Sequence, residues 1–158
     1  MMDLTFLRHG AATSQAITDE ERALTEAGKN QVKRLALCLK ESGETYDRIF
    51  SSPLRRAIET AQIFGEMFGK PIASDSRLAC GCRLEMIREL AEECEWQKRL
   101  LFVGHSPDFE LISAQLLGIP NTIDFKKGAA LKLSTTLISP GTGSLFFFIH
   151  PELIGRDL

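Results

Sequence analysis

Nowhere in its 158 residues does the sequence hold a run approaching the roughly 20 apolar residues that span a bilayer, so no membrane association is expected. Met1-Met2-Asp3 passes directly into a short apolar run containing Arg8, without the basic segment and long apolar stretch of a secretion signal; a cytoplasmic setting is expected. An excess of one charge is missing too. With 19 Lys and Arg against 21 Asp and Glu, and the bases scattered among acids, there is no basic stripe to grip nucleic acid. The four cysteines are Cys38, Cys80, Cys82 and Cys94, but Cys80-x-Cys82 lacks the two-residue spacer of a zinc-binding pair and no second pair faces it. No metal is expected, and the thiols read as reduced groups in or near the core.

What is present fits one domain with one core: 44% hydrophobic and 25% charged residues are the proportions of an average soluble protein. Residues 3–7 read as a buried strand ending at Arg8-His9-Gly10. From Thr25, a good N-cap, Val32, Leu35, Ala36 and Leu39 trace one helical face, and Gly43 supplies a stop. A strand over 47–51 then meets Ser52-Pro53, which reads as N-cap and first turn of a second helix lined by Ala57, Ala61, Phe64 and Phe68. Residues 72–74 form a weak strand, and a third helix is expected from about Arg83 to Trp96. The apolar run 100–103 leads into Gly104-His105-Ser106-Pro107, where Ser106 and Pro107 again read as the start of a helix. Two late strands, 129–134 and 144–149, flank Ser139-Pro140-Gly141-Thr142-Gly143 and suit a hairpin.

Alternating strands and helices predict an α/β fold with a largely parallel sheet covered on both faces. Ligands of such folds bind beyond the carboxyl ends of the strands, and Arg8-His9, Ser52-Pro53 and Gly104-His105-Ser106 all fall at that rim. Two helix N-termini beginning there favour a bound anion. Arg8, Arg55 and Arg56 add guanidinium groups able to fork two phosphate oxygens. Arg55 and Arg56 point about 100° apart around a helix, so only one of them suits a given phosphate. His9 and His105 each adjoin a glycine at the end of a strand and face the same arginines, whereas His150 reads as structural.

Leu7-Arg8-His9-Gly10, the run Ser51-Ser52-Pro53-Leu54-Arg55-Arg56-Ala57, and Val103-Gly104-His105-Ser106-Pro107 resemble, in order and spacing, the motifs of the histidine phosphatase (phosphoglycerate mutase-like) superfamily. Ala23-Leu24-Thr25-Glu26-Ala27-Gly28 is similar to that family's Leu-Thr-x-x-Gly start of the first helix. The short chain looks most like the SixA-like phosphohistidine phosphatase branch. The resemblance implies a three-layer α/β/α fold with a mostly parallel sheet and one histidine phosphatase domain over residues 1–158. It also implies His9 as nucleophile, with Arg8, Arg56 and His105 forming the phosphate pocket. The family arginine precedes the alanine of an Arg-Ala pair, which selects Arg56 over Arg55.

The implied reaction needs no cofactor. Neutral His9 takes the phosphoryl group and water then cleaves the phosphohistidine. In relatives a carboxylate after the third strand often protonates the leaving group, and Glu85 is the nearest here. Ala11 stands where relatives often carry a charge, and Glu59 where they carry glutamine. The expected substrate is a phosphorylated protein bearing phosphohistidine or a small phosphorylated metabolite. The alternatives are a small-molecule phosphomonoesterase or mutase of the same fold, and a catalytically idle phosphate-binding module.

Overall fold

The computed structural model describes residues 1–155; the expected domain span ends at 158, and 156–158 lie outside the described residues. Strands β1 (Met2–Arg8), β2 (Arg48–Ser51), β3 (Ile72–Ser74), β4 (Arg99–Gly104), β5 (Ala130–Thr135) and β6 (Ser144–Ile149) alternate with helices α1 (Glu26–Glu41), α2 (Arg55–Phe68), α3 (Leu84–Glu92) and α4 (Asp108–Leu117). They form one sheet in the order β3-β2-β4-β1-β5-β6. The first four strands of that order are parallel, and the antiparallel β5-β6 hairpin extends the sheet beyond β1. No described helix is long and apolar enough to cross a membrane.

The sheet divides the interior into two apolar clusters, one on each face, where the sequence suggested one core. Val32, Leu35 and Ala36 of α1 and Ala57, Ala61 and Phe64 of α2 pack on Leu7, Ile49, Leu101 and Val103. On the other face Leu84, Ile87 and Leu90 of α3 and Phe109, Ile112 and Leu116 of α4 pack on Leu4, Phe6, Leu100 and Phe102. Alternate side chains of one strand serve opposite clusters, as a period of two requires. Across the middle of the sheet Phe102 stacks between Phe6 and Phe50, each ring 5.6 Å away, and such pairs add about 0.5–1.5 kcal/mol apiece beyond their burial. Phe109 closes the stack edge-on to Phe6 at 5.2 Å. This fixes where α4 begins.

Register brings the rim together. Arg8 lies opposite Gly104 in the β1-β4 pair, and the His9 N–H continues the ladder by donating to the Gly104 carbonyl at 3.0 Å. Likewise Ser52 N–H donates to the Val103 carbonyl at 2.9 Å. Residues that are distant in sequence thus leave the sheet side by side. Thr25 caps α1 as expected, its hydroxyl oxygen accepting from the Gly28 N–H at 2.9 Å.

Three local expectations are corrected. Neither Ser52 nor Ser106 caps a helix: α2 is preceded by Leu54 and α4 by Pro107, neither with a side-chain cap. Ser52 instead turns its hydroxyl to His105, so the group that would cap the helix serves the site. Helix α3 ends at Glu92 rather than near Trp96, which is exposed. Glu92, Glu93 and Glu95 crowd the negative end of its dipole and disfavour another turn. The cysteines are free thiols as expected, with Cys82 and Cys94 buried and Cys38 half-buried, but Cys80 is exposed rather than in the core.

Candidate active site

His9 emerges from the carboxyl end of β1, 6% exposed, and its ring lies 5.3 Å from that of His105, which follows β4 and is 2% exposed. The Gly10 carbonyl sits 2.7 Å from Nδ1 of His9. A carbonyl can only accept, so Nδ1 carries the ring proton and Nε2 keeps its lone pair. Onto that lone pair Arg56 directs its Nε–H at 3.3 Å. Thr60, one turn after Arg56, accepts from the Gly10 N–H at 3.1 Å and donates to the Arg56 carbonyl at 2.7 Å. Helix α2 thereby holds both the arginine and the peptide that orients His9.

His105 Nε2 lies 2.7 Å from the Ser52 hydroxyl oxygen, which also accepts from the Leu54 N–H at 3.3 Å. Where the serine donates to Nε2, the neutral ring carries its proton on Nδ1. That atom is buried and has no protein partner, as are Arg8 Nε and the Ser106 hydroxyl. Three polar groups in that condition at one sheet edge are unusual in a native protein. Arg8 is held from the other side, Nη1 donating to the Phe125 carbonyl at 2.7 Å. Gly128 N–H donates to the carbonyls of Arg8 and His9 at 3.1 and 2.9 Å.

Electrostatics keep both imidazoles uncharged. Burial pushes His9 down to about 3, aided by His105 and by the positive charges of Arg56 and Arg8, against the opposing pull of the Gly10 carbonyl. Burial likewise lowers His105 to about 4, with Arg56 and Arg8 in the same direction and Asp19 opposing. Arg8 is also lowered by burial, against the nearby charges of Glu110 and Asp124. An arriving phosphate dianion would reverse these fields.

Of the residues singled out in the sequence, the structure brings Arg8, His9, Arg56 and His105 together. Arg55 turns outward toward Glu59, 3.7 Å away, as the helical angle between neighbours requires. Glu59 uses its other oxygen to accept from the Leu24 N–H at 2.8 Å. Glu85 is exposed in the first turn of α3, with no hydrogen bond or ion pair to the other four among the described residues. His150 packs against Phe148 at 4.8 Å. Sequence reasoning missed Ser52 as the partner of His105, the carbonyl of Phe125, and Asp19. In the 3₁₀ turn Asp19–Glu21, Asp19 accepts from Arg56 Nη1 through its carbonyl at 2.9 Å and from Nη2 through Oδ2 at 3.2 Å.

This chain belongs to the histidine phosphatase superfamily. The sequence model of that superfamily's branch 1 matches residues 4–79. An uncharacterized protein of Picosynechococcus sp. is 33% identical over 112 residues, 68% of either chain. The 2,3-bisphosphoglycerate-dependent phosphoglycerate mutase of Thermoplasma acidophilum is 39% identical over 61 residues, 39% of this chain and 30% of that one. The fold is that of the protein histidine phosphatase SixA complexed with tungstate, at a TM-score of 0.84 and 22% identity over 95% of this chain and 97% of that one. A phosphoserine phosphatase from Entamoeba histolytica superposes at a TM-score of 0.73 and 18% identity over the whole of both chains.

Proposed function

We propose that the protein is a phosphohydrolase that passes a phosphoryl group through a covalent phosphohistidine on His9, with a protein phosphohistidine as its substrate. The observation that carries this reading is the buried, unprotonated Nε2 of His9, fixed by the Gly10 carbonyl and faced by Arg56 Nε and by the ring of His105. A lone pair on an imidazole beside guanidinium groups is a nucleophile placed against the phosphorus of a bound phosphate. His9 Nε2 attacks, the bond from phosphorus to the leaving group breaks, and water then cleaves the new P–N bond to release inorganic phosphate and restore His9. Arg8, Arg56 and the His105 Nδ1–H offset charge on the phosphoryl oxygens during both displacements.

The leaving group distinguishes phosphohistidine from a phosphate ester. A phosphoramidate can leave as an imidazole already protonated on nitrogen, whereas an alkoxide needs an acid beside it. Glu85, the carboxylate suggested for that role, makes no hydrogen bond or ion pair to the pocket among the described residues, and Asp19 is held ionised, chiefly by Arg22 and also by Arg56. Both facts favour the substrate that needs the acid least.

The test offers purified protein a phosphohistidine peptide, p-nitrophenyl phosphate and a panel of sugar and nucleotide phosphates in chelator, beside His9→Ala. Phosphate release from the phosphohistidine peptide that His9→Ala abolishes is the expected result. Equal slow release by both proteins from every substrate would overturn the nucleophile assignment. Turnover of metabolites alone would overturn the phosphohistidine reading.

A further inference from the structure

Arg56 has two hydrogen-bonding edges. The end-on edge presents one hydrogen each of Nη1 and Nη2; the side-on edge presents Nε–H and the second hydrogen of Nη2. Asp19 occupies the end-on edge completely, with its carbonyl on Nη1 at 2.9 Å and Oδ2 on Nη2 at 3.2 Å. The side-on edge faces His9, with Nε–H on Nε2 at 3.3 Å.

Asp19 is itself anchored. Its Oδ1 accepts from Arg22 Nη1 at 3.0 Å, and Arg22 Nε donates to the Thr13 carbonyl at 2.8 Å. A continuous chain of polar contacts therefore runs from the Thr13 peptide through Arg22 and Asp19 to Arg56 and ends on the nucleophile. Arg56 is buried while the Asp19 side chain is 57% exposed, so the carboxylate grips the guanidinium from the solvent side.

We propose that Asp19 is a positioning residue for the phosphoryl-transfer step. By taking the end-on edge of Arg56 it commits the side-on edge to the phosphate that His9 attacks. The inference rests on the proposed reaction. It separates Asp19 from two other roles a carboxylate there could have: a proton donor to the leaving group, and an anion that must vacate Arg56 before phosphate binds. A positioning residue serves every leaving group alike, because it acts on the phosphoryl oxygens and not on the departing atom. It also assists phosphate binding, where a competing anion would oppose it.

The experiment compares wild type with Asp19→Ala and Asp19→Asn. Rates are measured on p-nitrophenyl phosphate, whose leaving group needs no proton, on an alkyl phosphate, whose leaving group does, and on the phosphohistidine peptide; inorganic phosphate binding is measured by calorimetry. Asp19→Ala is expected to lower kcat/KM about tenfold on all three substrates and to weaken phosphate binding in step, the scale of one charge-assisted hydrogen bond and a misaligned clamp. Asp19→Asn, which keeps an acceptor, recovers part of both losses. Arg22→Gln, which releases the far oxygen of Asp19 and the Thr13 carbonyl while keeping both Asp19 groups that hold Arg56, gives a smaller change of the same sign and repeats the test if Asp19→Ala folds poorly.

A loss confined to the alkyl phosphate would make Asp19 the proton donor and overturn the proposal. Tighter phosphate binding in Asp19→Ala would make it a competing anion, and unchanged binding and rates would remove it from the site; either overturns the proposal. Because calorimetry needs no turnover, a wild-type protein that binds phosphate but hydrolyses nothing would refute the proposed function and still decide the role of Asp19.

Discussion

Lowering the pH from 7 to 5 tests the site without any mutation. His9 and His105 titrate near 3 and 4 in the folded protein, against about 6.5 in an unfolded chain. At pH 7 the folded rings are neutral and the unfolded ones mostly so, and these two groups make only a small contribution to the pH dependence of folding. Between 6.5 and the folded values the unfolded chain binds protons that the native site refuses, so stability falls as pH falls. At pH 5, about 1.5 units below the unfolded value, each histidine costs about 2 kcal/mol, or about 4 kcal/mol for the pair. That is a large part of the roughly 5–15 kcal/mol available to a domain. Carboxylates held low by arginines, such as Asp47 at about 2 beside Arg99, lose their contribution only at more acid pH, so the windows separate. Guanidinium unfolding at pH 7 and pH 5 reads the difference, in wild type and in a His9→Gln, His105→Gln variant that cannot titrate. Saturating vanadate should restore the wild type at pH 5, because a bound anion favours the charged rings. A wild-type stability that is flat from pH 7 to 5, or an equal fall in the variant, would refute the reasoning.

Thr60→Val keeps the side-chain shape and removes the acceptor for the buried Gly10 N–H, so unfolding free energy should drop by about 1–3 kcal/mol, with kcat falling as His9 loses its fixed neighbour. Denaturant titration and turnover of p-nitrophenyl phosphate measure the two effects. Gly28→Ala would favour a helix by propensity, yet its Cβ would lie 2.1 Å from the Ala11 carbonyl oxygen, so the loop after His9 must shift. A net loss of about 1–3 kcal/mol in unfolding free energy is expected, the scale of overpacking. A stabilised Gly28→Ala would contradict it.

Much of this was legible in the sequence for identifiable reasons. The β4 run Leu100-Leu101-Phe102-Val103 is apolar at every position because it is covered on both faces, and such runs declare themselves. Helical geometry said that Arg55 and Arg56 could not both meet one phosphate, and the resemblance of Arg56-Ala57 to the family's Arg-Ala pair chose between them. The serines misled for a physical reason: a hydroxyl ahead of a proline suits a cap, but the Ser52 hydroxyl has a second use that only the approach of His105 reveals. Asp19 was invisible for a different reason. It lies in an aperiodic polar loop, and its contact with Arg56 depends on how residues 13–22 fold back, which no local pattern encodes. The length of α3 was overestimated because apolar spacing continued to Cys94 after the helix had run out of favourable charge.

The pairing of Arg8 with Gly104 carries a consequence for how activity can be lost. His9 and His105 come from strands almost a hundred residues apart, and neither can reach the other until β1 and β4 are zipped in a single alignment. A shift of one position along that pair would displace one imidazole by about 3.3 Å, more than half the present spacing between the rings. It would also send the apolar side chains of the shifted strand to the wrong faces. On the proposed reaction, turnover would therefore gauge the alignment of the two central strands, and a chain that is compact but misaligned would be silent.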